Sequence, residues 1–323
     1  MNDSRSWLRP TRKLLFGLVV VAALAVAAGA TSLWAAGGPR YTGWSEPVNV
    51  GPTINTPFND QGPALSKDGL SLYFDSSRPG GFGGRDIYVS QRDSVDDDWG
   101  APVNLGATIN TAATEFVPAF SRDGHWMFVG SDRPGGFGGP DIWASWRPHT
   151  HDDFGWQAPI NLGPNVNSAS ADGEPSYFEN DDGAAPQLFF VSTRPGGLGS
   201  NDLYMSELQQ DGTWGPATWI PELSSSGNEA RPSIRHDGLE IFFRSDRAGG
   251  VGGNDLWVAT RDTVDAPWST PVNLGAPVNT SANESLAYLS ADEETLMFTS
   301  TRPGGFGLND LWMTTRSKSH RPE

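Results

Sequence analysis

The chain has 323 residues, no cysteine and a formal net charge of −16. Without cysteine there are no disulfides, no thiolate metal sites, no thiol catalysis and no lipid attachment through an N-terminal Cys. The negative charge argues against nucleic acid, whose phosphates it would repel.

Arg5, Arg9, Arg12 and Lys13 precede an uninterrupted apolar run, Leu14–Ala30, of 17 residues that ends in Ala28-Gly29-Ala30. A basic start, an apolar middle and a small-residue end read as a secretory signal. The run is slightly short of the roughly 20 residues that span a bilayer, but Leu33-Trp34-Ala35-Ala36 could extend it. The expected organisation is a signal peptide or N-terminal membrane anchor over 1–36, a linker over 37–43, a repeat domain over 44–316 and a disordered tail over 317–323. Both readings of the N-terminus place the domain outside the cytoplasm, with the membrane met only through that segment if it stays uncleaved.

The domain writes one motif five times: SRPGGFGGRDIYVS from Ser77, SDRPGGFGGPDIWAS from Ser131, STRPGGLGSNDLYMS from Ser192, SDRAGGVGGNDLWVA from Ser245 and STRPGGFGLNDLWMT from Ser300. The Arg positions are separated by 55, 61, 53 and 55 residues. In the second copy, Phe116–Phe120 reads as a strand, and Asp123-Gly124 is a hairpin signal because both residues tolerate positive φ. His125–Gly130 is a second strand and Asp141–Trp146 a third. Trp156–Gly163 is an outer strand whose Pro159 suits only an edge. Four antiparallel strands per repeat is a propeller blade. The chain opens on an outer strand, Trp44–Gly51, and closes on a third strand at Trp312. The predicted fold is therefore an all-β, five-bladed β-propeller, its ring closed by the N-terminal outer strand. An open solenoid would need polar caps, and none is visible.

Pro118–Gly124 with Phe128 and Ser131–Arg133, followed by Asp141-Ile142-Trp143, resembles the TolB-like, PD40-type (WD40-like) propeller repeat of bacterial envelope proteins. The resemblance runs from Trp44 to about Thr315 and implies the propeller fold and an envelope or extracellular compartment. It does not extend to TolB's extra N-terminal domain or its six blades.

Three sets of residues are candidates for function. Each motif holds an Arg and, eight residues on, an Asp: Arg78/Asp86, Arg133/Asp141, Arg194/Asp202, Arg247/Asp255 and Arg302/Asp310. These are expected to be cross-strand structural ion pairs, the Asp also accepting loop N–H bonds, since a catalytic site needs one copy rather than five. Asp60, Glu115, Glu174, Glu229 and Glu284 precede the innermost strands and are expected around one mouth of the central channel. There they either bond their own blades, with partners such as Arg231, or hold a polar ligand or a Ca²⁺-like ion. Symmetry breaks in the third and fourth blades, which have a long hairpin over 179–186 and an outer strand over 218–223 that lacks Asn-Leu-Gly. The second break is expected to open the mouth beside Asn228 and Glu229. His149, His151, Asp152 and Asp153 form either a metal-ligating run or a solvated loop.

Two functions follow. One is a binding or assembly module that meets an envelope protein or a cell-wall or extracellular glycan at the channel mouth. The other is a carbohydrate-active enzyme, a glycoside hydrolase or lyase, using carboxylates near the axis.

Overall fold

A computed structural model describes residues 41–180 and 183–318; the expected signal or anchor and the end of the tail lie outside them. The first strand, β1 (Val48–Asn49), is followed by the first blade: β2 (Asp60–Leu65), β3 (Ser71–Ser76), β4 (Asp86–Gln91) and β5 (Val103–Asn104). The second blade is β6 (Glu115–Phe120), β7 (Trp126–Ser131), β8 (Asp141–Trp146) and β9 (Ile160–Asn161). The third is β10 (Asp172–Phe178), β11 (Gln187–Ser192), β12 (Asp202–Glu207) and β13 (Thr218–Trp219), and the fourth is β14 (Glu229–Ile234), β15 (Glu240–Ser245), β16 (Asp255–Thr260) and β17 (Val272–Asn273). The fifth blade takes β18 (Glu284–Leu289), β19 (Thr295–Ser300) and β20 (Asp310–Thr315) and borrows β1 as its outer strand. Val48 stands opposite Met313 and Asn49 opposite Trp312, so the ring closes by a strand from each end. The junction continues outward through a Tyr41–Lys318 bridge.

Every blade is covered on both faces by its neighbours, which is why the second strands read LYF, MFV, LFF, IFF and LMF without polar alternation. Met127 and Val129 of β7 point to the first blade and Phe128 to the third. The core is thus five layers between consecutive blades. Fully burying one such side chain contributes about 1.5–3 kcal/mol.

The outer strands are only two residues long, shorter than the sequence suggested. In four blades a proline (Pro47, Pro102, Pro159, Pro271) immediately precedes the pair and has no N–H for the ladder. The first hairpin turns are also one step longer than a two-residue turn. In Ser121–Gly124 the Gly124 N–H bonds Ser121 O, and Gly124 takes φ +74°. An arginine ending the third strand clamps this turn: Arg92, Arg147 and Arg261 donate through Nε to the turn glycine's carbonyl and lie over Trp99, Trp156 and Trp268.

The glycines of the long loop have a steric cause. A Cβ on Gly136 would stand 2.3 Å from the Asp141 carboxylate, and one on Gly138 2.3 Å from the backbone of Ala169 in the next blade's incoming connection. The loop overlaps its neighbour, and only glycine fits the overlap.

Candidate functional site

The structure gives the repeated charges different partners from those expected. Arg78, Arg133, Arg194, Arg247 and Arg302 do not pair with the Asp eight residues on. They turn back onto the acid that opens the inner strand of the same blade: Asp60 at 2.6 Å, Glu115 at 3.2 Å, Asp172 at 2.7 Å, Glu229 at 3.1 Å and Glu284 at 3.2 Å. Asp86, Asp141, Asp202, Asp255 and Asp310 instead accept N–H groups of their own glycine loops, such as Phe82 N at 2.5 Å and Phe137 N at 2.7 Å. In four blades an outer-strand Asn (Asn49, Asn104, Asn161, Asn273) adds a side-chain donor to this Asp, and the Arg reaches the strand start instead.

Of the two readings of the acidic ring, this geometry fits acids bonded within their own blades rather than an open ligand or Ca²⁺ site. Asp60, Glu115, Glu229 and Glu284 are fully buried inside their blades. Each accepts from its Arg, from a strand-two serine and from a hydroxyl and N–H four residues upstream; for Glu115 these are Arg133, Ser131 and Thr111. The fifth member of this set is Asp172, not Glu174. No group of three metal-ligating side chains occurs among the described residues.

Nor is the mouth opened at the fourth blade. Pro221–Leu223 forms a 3-10 turn whose Leu223 fills the layer between blades three and four. Glu229 is buried, and Asn228 bonds Asp246 at 2.6 and 2.8 Å on that same face.

Glu174 occupies a different repeat position. Two residues into each inner strand the register slips and φ becomes positive, at Gly62 (+64°), Val117 (+54°), Glu174 (+51°), Arg231 (+48°) and Leu286 (+48°). A bulge of this kind bends the strand and re-aims its side chain. Phe116, Val117 and Leu286 meet across the ring from blades two and five. Arg231 crosses it, donating to Pro175 O at 2.8 Å, Pro63 O at 3.3 Å and Pro118 O at 3.4 Å in three other blades. Burial pushes its guanidinium down to about 10, with Glu174, Tyr288 and Asp75 acting the other way, so it stays cationic at neutral pH. Its Nε and the Glu174 Oε2 are buried without a hydrogen-bond partner.

On the other side of this plug the inner-strand ends and hairpin turns enclose a funnel of about 580 Å³. It lies at the mouth opposite the acid–arginine pairs. Leu65, Phe120, Tyr177, Phe178, Ile234 and Leu289 bring apolar surface from all five blades, and Arg231 and Tyr288 form the deep end. Tyr177 stacks on Phe128 with centroids 5.5 Å apart. The Tyr288 hydroxyl donates to Leu65 O at 3.0 Å, and burial pushes it up to about 12, so it stays a neutral phenol.

The funnel carries three carboxylates, Asp68, Asp123 and Glu179, from three consecutive blades. Two belong to hairpin turns. Asp123 accepts Ser121 Oγ at 2.6 Å and His125 N at 3.2 Å. Asp68 accepts Ser66 Oγ and Leu70 N; burial alone would push the carboxyl up, but these bonds and nearby His151 outweigh it and hold it below the usual carboxylate range. Glu179 follows β10 in the blade with the long 179–186 connection, and the Tyr177 hydroxyl reaches its Oε2 at 3.3 Å. A chamber of this size, apolar on its walls and polar at the rim and floor, suits a small organic ligand.

The histidine-rich linker does not bring its histidines and acids together as a ligand set. Asp153 is buried between blades one and two, where Ser71, Tyr73 (2.6 Å), Gln91 (2.8 Å) and Arg147 (2.8 Å) all donate to it. His149 and His151 are exposed, the latter 3.7 Å from Asp68. Arg231 and the funnel were not foreseen as the site. The signal lay in the variable position between the inner-strand acid and the following proline, which reads Gly, Val, Glu and Arg across four blades.

No family model matches the sequence, and no curated protein matches it. Solved structures share the fold. A thermostable family-43 glycoside hydrolase superposes with a TM-score of 0.57 at 14% identity, over 83% of this chain and 97% of that one. The α-L-arabinofuranosidase from Lactobacillus brevis gives 0.56 at 12% identity, over 83% and 92%. The putative TolB from Agrobacterium tumefaciens gives 0.47 at 17% identity over 80% and 78%, too low to separate one propeller family from another.

Proposed function

We propose that the protein is a carbohydrate-active propeller that takes a glycan into the hairpin-face funnel. The observation that carries this reading is the blind funnel itself: aromatic and aliphatic walls, a polar rim and a cationic floor inside a ring whose axis is plugged. The fold likeness to a family-43 glycoside hydrolase and an arabinofuranosidase supports carbohydrate as the ligand class and favours the enzyme alternative over an assembly module. Hydrolysis needs an acid and a base in unlike settings. Glu179, at the funnel rim with the Tyr177 hydroxyl positioning it, is assigned the acid role. The TolB-like reading of the repeat, the extracytoplasmic placement and the division into 1–36, 37–43, 44–316 and 317–323 belong to the same proposal. No helix among the described residues is long and apolar enough to cross a membrane.

The test is thermal melting with arabinan- and arabinoxylan-derived oligosaccharides, paired with an assay for released sugar. A ligand at about 100 times its Kd stabilises by roughly 2.7 kcal/mol. The expected result is a melting shift with product release, the release lost in Glu179→Gln. A shift without product would make the protein a binding module. Neither a shift nor product would remove the carbohydrate reading.

A further inference from the structure

The opposite face carries apolar surface that the funnel does not use. In each glycine loop the residue between the two crowded glycines is exposed and apolar: Phe82, Phe137, Leu198, Val251 and Phe306. The loop forces this outward aim. Each of these residues gives its N–H to the loop Asp, and the glycines on either side face inward, against that Asp and the next blade.

At the seam between blades five and one the ring is enlarged. Leu308, 64% exposed, stands where the other loops hold Gly84, Gly139, Ser200 and Gly253. Phe58, 39% exposed, stands where the other incoming connections hold Ala113, Ser170, Gly227 and Ala282. The two are neighbours, since Leu308 N donates to Phe58 O at 3.3 Å, and Phe306 is two residues away. Four of the five blades fold with small residues at both positions, so the fold itself does not call for Phe58 and Leu308.

We propose that this seam is a second carbohydrate surface, a docking platform for a neutral polysaccharide chain, distinct from the funnel; it rests on the carbohydrate reading above. The chemistry around the patch selects this occupant. Pro57, Asn59, Gly305, Gly307 and Asn309, which flank the three side chains, are all uncharged. Asn309 Nδ2 bonds Asn59 Oδ1 at 2.6 Å, which sets an amide pair beside the exposed rings. Apolar faces beside neutral amides match the C–H faces and hydroxyls of a sugar. A chain of net charge −16 repels polyanions and anionic lipid alike. The four further loop residues, one per blade, offer more contacts to a repeating polymer.

The experiment is native electrophoresis of the full chain through gels containing soluble arabinan, arabinoxylan or a neutral β-glucan. The variant is Phe58→Ala with Leu308→Gly, which installs residues that other blades already carry and so keeps the fold. The funnel variant Tyr177→Ala runs beside it, and oligosaccharide melting shifts are measured on all three proteins. The proposal expects retardation of the wild type by at least one polymer, a tenfold or greater weakening in the seam variant, and retention in the funnel variant. Retardation that survives the seam substitutions overturns it. So does a wild type that ignores every polymer yet keeps its oligosaccharide shift, a result that leaves the funnel reading intact. A wild-type dimer that the seam variant converts to monomer in sedimentation, or wild-type binding to phosphatidylcholine vesicles that the seam variant loses, overturns it in favour of a second copy or a lipid surface.

Discussion

At position 231 an arginine stands where the other inner strands hold Gly62, Val117, Glu174 and Leu286. Its guanidinium satisfies proline carbonyls of three blades at once. Arg231→Ala leaves those acceptors buried and unpaired, and is expected to lower stability by about 1–3 kcal/mol in urea unfolding; an unchanged midpoint would contradict the plug. Tyr288 gives a pH signature. Its phenol ordinarily ionises at 10.0 and in the fold at about 12, so between those values the unfolded chain releases a proton that the fold retains. Its contribution is therefore complete below pH 10 and is lost from 10 to 12, about 2–3 kcal/mol over the interval. Arg231 runs the other way over the same range, because its folded value is below its ordinary one. Melting of the wild type against Tyr288→Phe, which keeps Arg231, isolates the phenol: the gap between them should narrow above pH 10. At this scale the sequence was least legible. Spacing does match Asp172 rather than Glu174 to Asp60, since each stands five residues after an Asn (Asn167, Asn55) and three before a Pro (Pro175, Pro63); the bulge that gives Glu174 a different surrounding is not written there. The partner of Arg78 was hidden because the side chain turns back across its own strand to reach Asp60.

The glycine loop is the element that joins one blade to the next. Gly138→Ala places a methyl against the backbone of Ala169, so blade two must withdraw from blade three. The variant is expected to lose at least about 1 kcal/mol and several degrees of melting temperature. Gly43→Ala, with nothing near its Cβ, should melt as the wild type does. Elements were the most legible level, because five copies in register reveal strands, turns and loop glycines together. What stayed hidden were the clamps formed only in three dimensions, such as Arg147 over Trp156 beneath the Gly124 carbonyl. Their residues come from three separate segments of one blade, the first turn, the end of the third strand and the outer connection, which only folding brings together.

The whole molecule is a ring held shut by β1 on β20, by Trp44 in the layer between blades four and five, and by Arg316 over Tyr41 at 3.8 Å. Starting the protein at residue 52 removes all three contacts. Such a protein is expected to lose its single cooperative melt; one that melts like the intact chain would contradict closure. The five-blade ring could be foreseen from the phase of the first and last strands. The funnel could not, because it exists only where five inner-strand ends converge and one arginine closes the axis behind them. The most direct test of the account is calorimetric titration of arabinan-derived oligosaccharides into the wild type and Tyr177→Ala. The expected result is a saturable site of about one per chain that the substitution weakens at least tenfold. Undiminished binding in the variant would place the ligand elsewhere and contradict the assignment of the funnel.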